Sequence, residues 1–195
     1  MSKCSFSDIY REYNQTIKPL IAQIEATQER LPIPVLNEIR AIHDHIARCY
    51  FDDVDEEFKE RQMECARGHN MRIILDCLKI LNSLYREEMS QLEKRVNIER
   101  IDSGKFYIKY AELANEAEKL TYNAKIAEAK SKLEAIEYFQ ESTAKYNEIH
   151  HLIQDNKAEI AWARLRFYEK PFWSVVLMIL GAILGFFFRQ VYSLI

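Results

Sequence analysis

The chain is short of the residues that bend and stop a backbone: it has 4 Gly and 4 Pro in 195 residues. A β-sandwich or a many-turned α/β fold needs more turn formers than that, so both are excluded. Charge of one sign is also lacking. The 27 Lys and Arg against 30 Asp and Glu leave a net charge of −3, which argues against the broad basic face of a general nucleic-acid binder. Cysteine is scarce, and Cys4, Cys49, Cys65 and Cys77 form no CxxC pair. Free thiols in a reducing compartment are the simplest account of them. The opening MSKCSFSDIYREYNQ is too polar for a signal peptide.

What is abundant is Ala, Glu, Lys, Leu, Arg and Gln, the strong helix formers, and an all-α protein is expected. Helices are expected over about 6–30, 35–51 and 54–101. Pro19 should kink or break the first, Leu31-Pro32-Ile33-Pro34 reads as a rigid connector, Gly68 is a candidate kink, and Ser103-Gly104 is a stop. From Lys105 to Lys170 there is neither Gly nor Pro, and Leu113, Ala117, Leu120, Ala124 and Ala127 recur at helical spacing as a packing stripe. This segment reads as one long helix or an antiparallel pair, with a break near Ser142-Thr143 or Asp155-Asn156. The domain plan is a helical core over 1–104, a long helix or hairpin over 105–170, and a transmembrane helix over 171–191.

That last expectation rests on the one long uncharged run, PFWSVVLMILGAILGFFF from Pro171 to Phe188, about 27 Å of helix. Trp173 and Tyr192 stand near its ends as interfacial aromatics do. Lys157, Arg164, Arg166 and Lys170 precede the run and only Arg189 follows, which predicts a single-pass protein with its N-terminal domain in the cytoplasm. Gly181 and Gly185 form a GxxxG, a face on which two helices in a membrane approach closely and oligomerise. Arg189 is expected to snorkel towards headgroups.

Two stripes of ionisable residues lie among apolar ones. Arg40, Asp44 and Arg48 are spaced i, i+4, i+8 with His45 beside them, and His69, Arg72, Asp76 and Lys79 share a face of the next helix. One reading pairs the stripes, with Asp44 and Asp76 receiving Arg72, Arg40 or Arg48 across a helix interface as a structural network. A metal reading sets the i, i+4 pairs His45/Cys49 and Cys65/His69 as a Cys2His2 site, but mid-helix pairs are an unusual source of zinc ligands and no metal or other cofactor is assigned. His150-His151 reads as surface.

The spacing Arg40-x4-His45, within Glu38-x-Arg40-x3-Asp44-His45-x2-Arg48 and followed by Gly68-His69-x2-Arg72-x3-Asp76-x2-Lys79, resembles divergent HEPN proteins. It departs from the usual HEPN pattern at Ala41, where a polar residue commonly follows the Arg. With one span and a chain near this length, the whole resembles the small membrane accessory proteins of type VI-B CRISPR–Cas systems. That resemblance implies a HEPN-like helical bundle that forms a homo-oligomeric, pore-like assembly in the lipid bilayer of the bacterial inner membrane. It would perturb that membrane and strengthen the antiviral action of an RNA-guided CRISPR ribonuclease. It equally implies an alternative, a membrane-tethered, metal-independent ribonuclease with RNA as its partner. In that case Arg40 binds phosphate and His45 gives acid–base help, with two copies meeting at a dimer interface. A tail-anchored helical scaffold is the third expectation.

Overall fold

The computed structural model describes residues 5–192, and their side chains except at 166–171 and 185–192. Among these residues the chain is all α-helical, without a strand. Helix α1 (Phe6–Glu12) starts at a capping box. The Ser5 hydroxyl accepts from the Asp8 N–H at 3.3 Å, and the Asp8 carboxylate accepts from the Ser5 N–H at 3.0 Å. The Ser5 hydroxyl also donates to the Asp8 carboxylate at 2.7 Å, and this bond first, then that from the Ser5 N–H, holds the Asp8 carboxyl below its ordinary range. A π-turn over Tyr13–Ile17 then leads straight into α2 (Lys18–Gln28). The chain passes Pro19 without a break, because the proline falls in the first turn of α2, directly after the wide turn, where a residue without an N–H is tolerated.

Glu29 closes α2 in the left-handed region, at φ 56°. Helix α3 (Ile33–Arg48) begins two residues earlier than expected, with Pro34 in its first turn. Helix α4 (Glu56–Arg95) runs 40 residues through Gly68 without interruption; one glycine weakens a helix by about 1 kcal/mol but does not end it. A 3-10 segment (Ile98–Gly104) follows, in which Asp102, Ser103 and Gly104 all have positive φ. It turns the chain into α5 (Lys105–Glu128), α6 (Lys132–Asp155) and α7 (Lys157–Tyr192).

The segment after Lys105 breaks where no break was expected, at residues 129–131. The Lys130 and Ser131 N–H groups both donate to the Ala127 carbonyl at 2.8 Å, closing α5, and the Ser131 hydroxyl caps the Glu134 N–H of α6 at 3.4 Å. Ser142 and Thr143, expected as a break, are buried in the middle of α6. Asn156 is the second junction, between α6 and α7, as the Asp155-Asn156 expectation has it.

The expected transmembrane helix over 171–191, and with it the single-pass inner-membrane location, is corrected. Among the described residues no helix is long and apolar enough to cross a membrane. Helix α7 opens with Lys157, Glu159 and Arg164. Gly185, Arg189 and Tyr192, and the flanking Arg166 and Lys170, lie outside the residues whose side chains are described, as does Cys4.

The chain divides into two units, Met1–Glu88 with Glu112–His150, and Met89–Ala111 with His151–Ile195. In the first, Ile17, Ile24, Val35, Ile73, Leu78 and Phe139 lie in one apolar core, and of the expected stripe Leu113, Ala117, Ala124 and Ala127 are buried and Leu120 is half-buried. In the second, Ile98, Ile101, Phe106 and Tyr110 are buried. There the Tyr110 hydroxyl donates to Glu93 at 2.9 Å and the Asp102 N–H donates to Glu159 at 3.0 Å.

Candidate functional site

Helix α3 sorts its residues by period. Val35, Ile42, Ile46 and Cys49 are buried, while Arg40, His43, Asp44 and Arg48 are exposed. The Arg40, Asp44, Arg48 stripe therefore faces solvent and does not pair with α4. Asp44 is held instead by Arg48 of its own helix at 2.5 Å, with both side chains about half exposed, a pair worth roughly 0.3–0.5 kcal/mol.

The carboxylate that crosses from α3 to α4 is Glu38. Its Oε2 accepts from His69 Nδ1 at 2.6 Å and lies 3.8 Å from the Arg72 guanidinium. Asp76 lies on the same side of α4. Burial pushes its carboxyl up, and Glu38 and Glu128 push the same way, while Lys79 and Arg72 pull it down. Lys79 is itself paired with Glu128 at 2.5 Å.

His45 takes a partner the sequence did not signal: its Nδ1 lies 2.7 Å from Gln62 Oε1. Its ring stands 5.2 Å from that of His69, tilted by 32°. The four side chains form a row: Gln62, His45, His69, Glu38. A carboxylate only accepts, so His69 donates through Nδ1, and with Gln62 Oε1 as acceptor His45 does the same. Each ring then has Nε2 outside these bonds. An imidazole anchored through Nδ1–H on a carboxylate is oriented for proton transfer at Nε2. The row sits in a partly screened setting, with His69 17% and Glu38 25% exposed.

Arg40 is not part of this row. It lines an open concavity of about 640 Å3 with Asn37, Ala41, His43, Asp44 and Ala47. Five residues of helix turn Arg40 and His45 roughly 140° apart, so within one chain they stand on different faces of α3. Among the described residues no group of three or more His, Cys, Asp or Glu is placed to hold a metal ion. The buried Cys49 thiol donates to the carbonyls of His45 and Lys59, and burial raises its pKa. Cys65 is exposed. His150, expected at the surface, lies 2.9 Å from a Glu88 oxygen with its ring beside Tyr85.

A second feature lies on α7. Leu177, Met178, Ile179 and Leu180 are consecutive, so they point to every side of the helix, and they are 66%, 69%, 52% and 49% exposed. A Cβ added to Gly181 would meet nothing within 4 Å. Among the described residues no packing explains a glycine there, although it costs a helix interior about 1 kcal/mol relative to alanine. No protein-family model, curated protein or solved structure matches this chain.

Proposed function

We propose that this chain is a self-assembling helical protein whose working form is a homo-oligomer. The observation that carries this reading is the full turn of exposed large apolar residues at Leu177–Leu180. Contiguous apolar surface of this kind marks an interaction site. An apolar stretch without a polar face needs neighbours on more than one side, which favours more than two copies. Gly181, open in the single chain, lets a neighbouring helix approach closely. The HEPN-like residues of α3 and α4 suggest the process such an assembly would serve, antiviral defence beside an RNA-guided CRISPR ribonuclease.

The test is the mass of the full-length protein by light scattering, with mild detergent present and corrected for. A multimer that dissociates in the double variant Leu177→Lys, Leu180→Lys supports the reading. A monomer at every concentration refutes it. The defence role is read separately by phage plaque counts with a type VI-B ribonuclease and its guide: fewer plaques with the chain present support it, and equal counts remove it.

The row of Gln62, His45, His69 and Glu38 favours a second reading, a metal-independent ribonuclease in which the two imidazoles share acid and base roles. Arg40 would then act only from a second copy, as in HEPN dimers. Cleavage of RNA by the purified chain, lost in His45→Ala and in His69→Ala, supports this reading; clean protein without cleavage ends it.

A further inference from the structure

A pocket of about 210 Å3 lies between α1, the π-turn, α3 and α4, and none of the four residues of the histidine row lines it. Its lining is layered by depth. Ile9, Ile42 and Asn70 are buried; Tyr13 and Ile39 are half-buried; Tyr10, Asn14 and His43 are exposed. The pocket is thus an apolar floor with aromatic sides and a polar rim, the usual make-up of a small-molecule site. The π-turn supplies two of its residues, Tyr13 and Asn14, and such turns recur at functional sites.

Asn70 is what makes the pocket more than a dent. It is 0% exposed. Its amide nitrogen donates to the Ile9 carbonyl at 3.1 Å and to the Glu12 carboxylate at 2.8 Å. Both partners only accept, so the amide cannot be turned over, and Oδ1 is left buried without a hydrogen-bond partner. A buried acceptor left unpaired costs about 1–3 kcal/mol. A ligand N–H delivered to the floor would remove that cost.

The geometry points to a binding site for a small, uncharged nitrogen heterocycle of the nucleobase type, seated with a ring N–H donating to Asn70 Oδ1. The volume of about 210 Å3 admits a single base. Tyr10 and Tyr13 offer faces on which a flat ring stacks. The Glu12 carboxylate beside Asn70 turns away an anion. Asn14 and His43 at the rim read the outer edge of the ring. This site is independent of self-assembly, and its test does not depend on that reading.

The experiment titrates the full-length chain with purine, watching Tm and the tyrosine proton signals, and repeats it with 9-methylpurine, which has the same ring but no N–H. Purine is expected to raise Tm and shift the tyrosine signals, and 9-methylpurine to bind at least tenfold more weakly. The rim variants Asn14→Ala and Tyr10→Ala, at exposed positions, keep the unliganded Tm and weaken purine binding. Asn70→Leu abolishes the preference for purine over 9-methylpurine. No response to purine overturns the proposal, as does equal binding of the two probes or purine binding that the rim variants leave untouched.

Discussion

Helix α4 carries two polar clusters in the same unit, and they differ in how fully their hydrogen bonds are used. Around Asn82 the bonds close on themselves. Its amide nitrogen donates to the Leu78 carbonyl at 2.9 Å and to the Thr143 hydroxyl at 2.8 Å. Its oxygen is reached by the hydroxyls of Thr121 at 3.1 Å and Ser142 at 2.7 Å. Those two hydroxyls also reach the Ala117 carbonyl, each at 2.9 Å. All four side chains are buried. Such a closed network fixes the register of three helices. Three turns towards the start of the helix, Glu38, His69, His45 and Gln62 are half-buried, and each imidazole keeps a nitrogen outside the row. A finished network holds a fold together; an unfinished one is available for chemistry.

The comparison is most sharply broken at Asn82. Asn82→Leu leaves three buried hydroxyls with fewer partners and should cost about 2–3 kcal/mol, read as a fall in Tm of roughly 5–10 °C. Substitutions in the histidine row should do less. Glu38→Gln keeps the shape, removes the charge opposite His69 and Arg72, and should cost about 1 kcal/mol. Its sharper readout is a change in the His69 ring signals by NMR, from loss of the carboxylate on Nδ1, which no change at Asn82 should produce. Arg48→Ala, outside both clusters, should change stability by less than about 0.5 kcal/mol in chemical denaturation.

Asp76 gives the smallest effect and the opposite sign. Burial, the larger cause, raises its folded pKa above the unfolded value, so the native state takes up the proton first. Stability should therefore rise as pH falls from the folded value towards the unfolded one, and the charged form should be a small burden at neutral pH. Asp76→Asn should raise Tm slightly at pH 7 and flatten that pH dependence in thermal melts. A fall in Tm at pH 7 would mean that Lys79 and Arg72 outweigh burial.

The two clusters were not equally visible beforehand. His69, Arg72 and Asp76 stand out by their spacing, yet their partner Glu38 is marked only as part of a motif, and Gln62 carries no signal. The Asn82 network was invisible, because Asn, Ser and Thr in a helix read as surface or as a break until another helix covers them. The turn at residues 129–131 did have a signal, Ser131-x-x-Glu134, but without Gly or Pro it was hidden in a run of good helix formers. The Arg40, Asp44, Arg48 stripe was correctly placed on one face of its helix, and that face proved to be the solvent one.

The sequence by itself determined that this protein is helical, since propensity, capping and the scarcity of Gly and Pro act within a few residues of chain. It also determined which residues share a helix face, because that follows from the helix period alone. Which faces meet was decided only in the tertiary structure. The same helix spacing serves a buried face and a solvated one equally well, and only packing against α4 selected Glu38 over Asp44 as the carboxylate that receives His69.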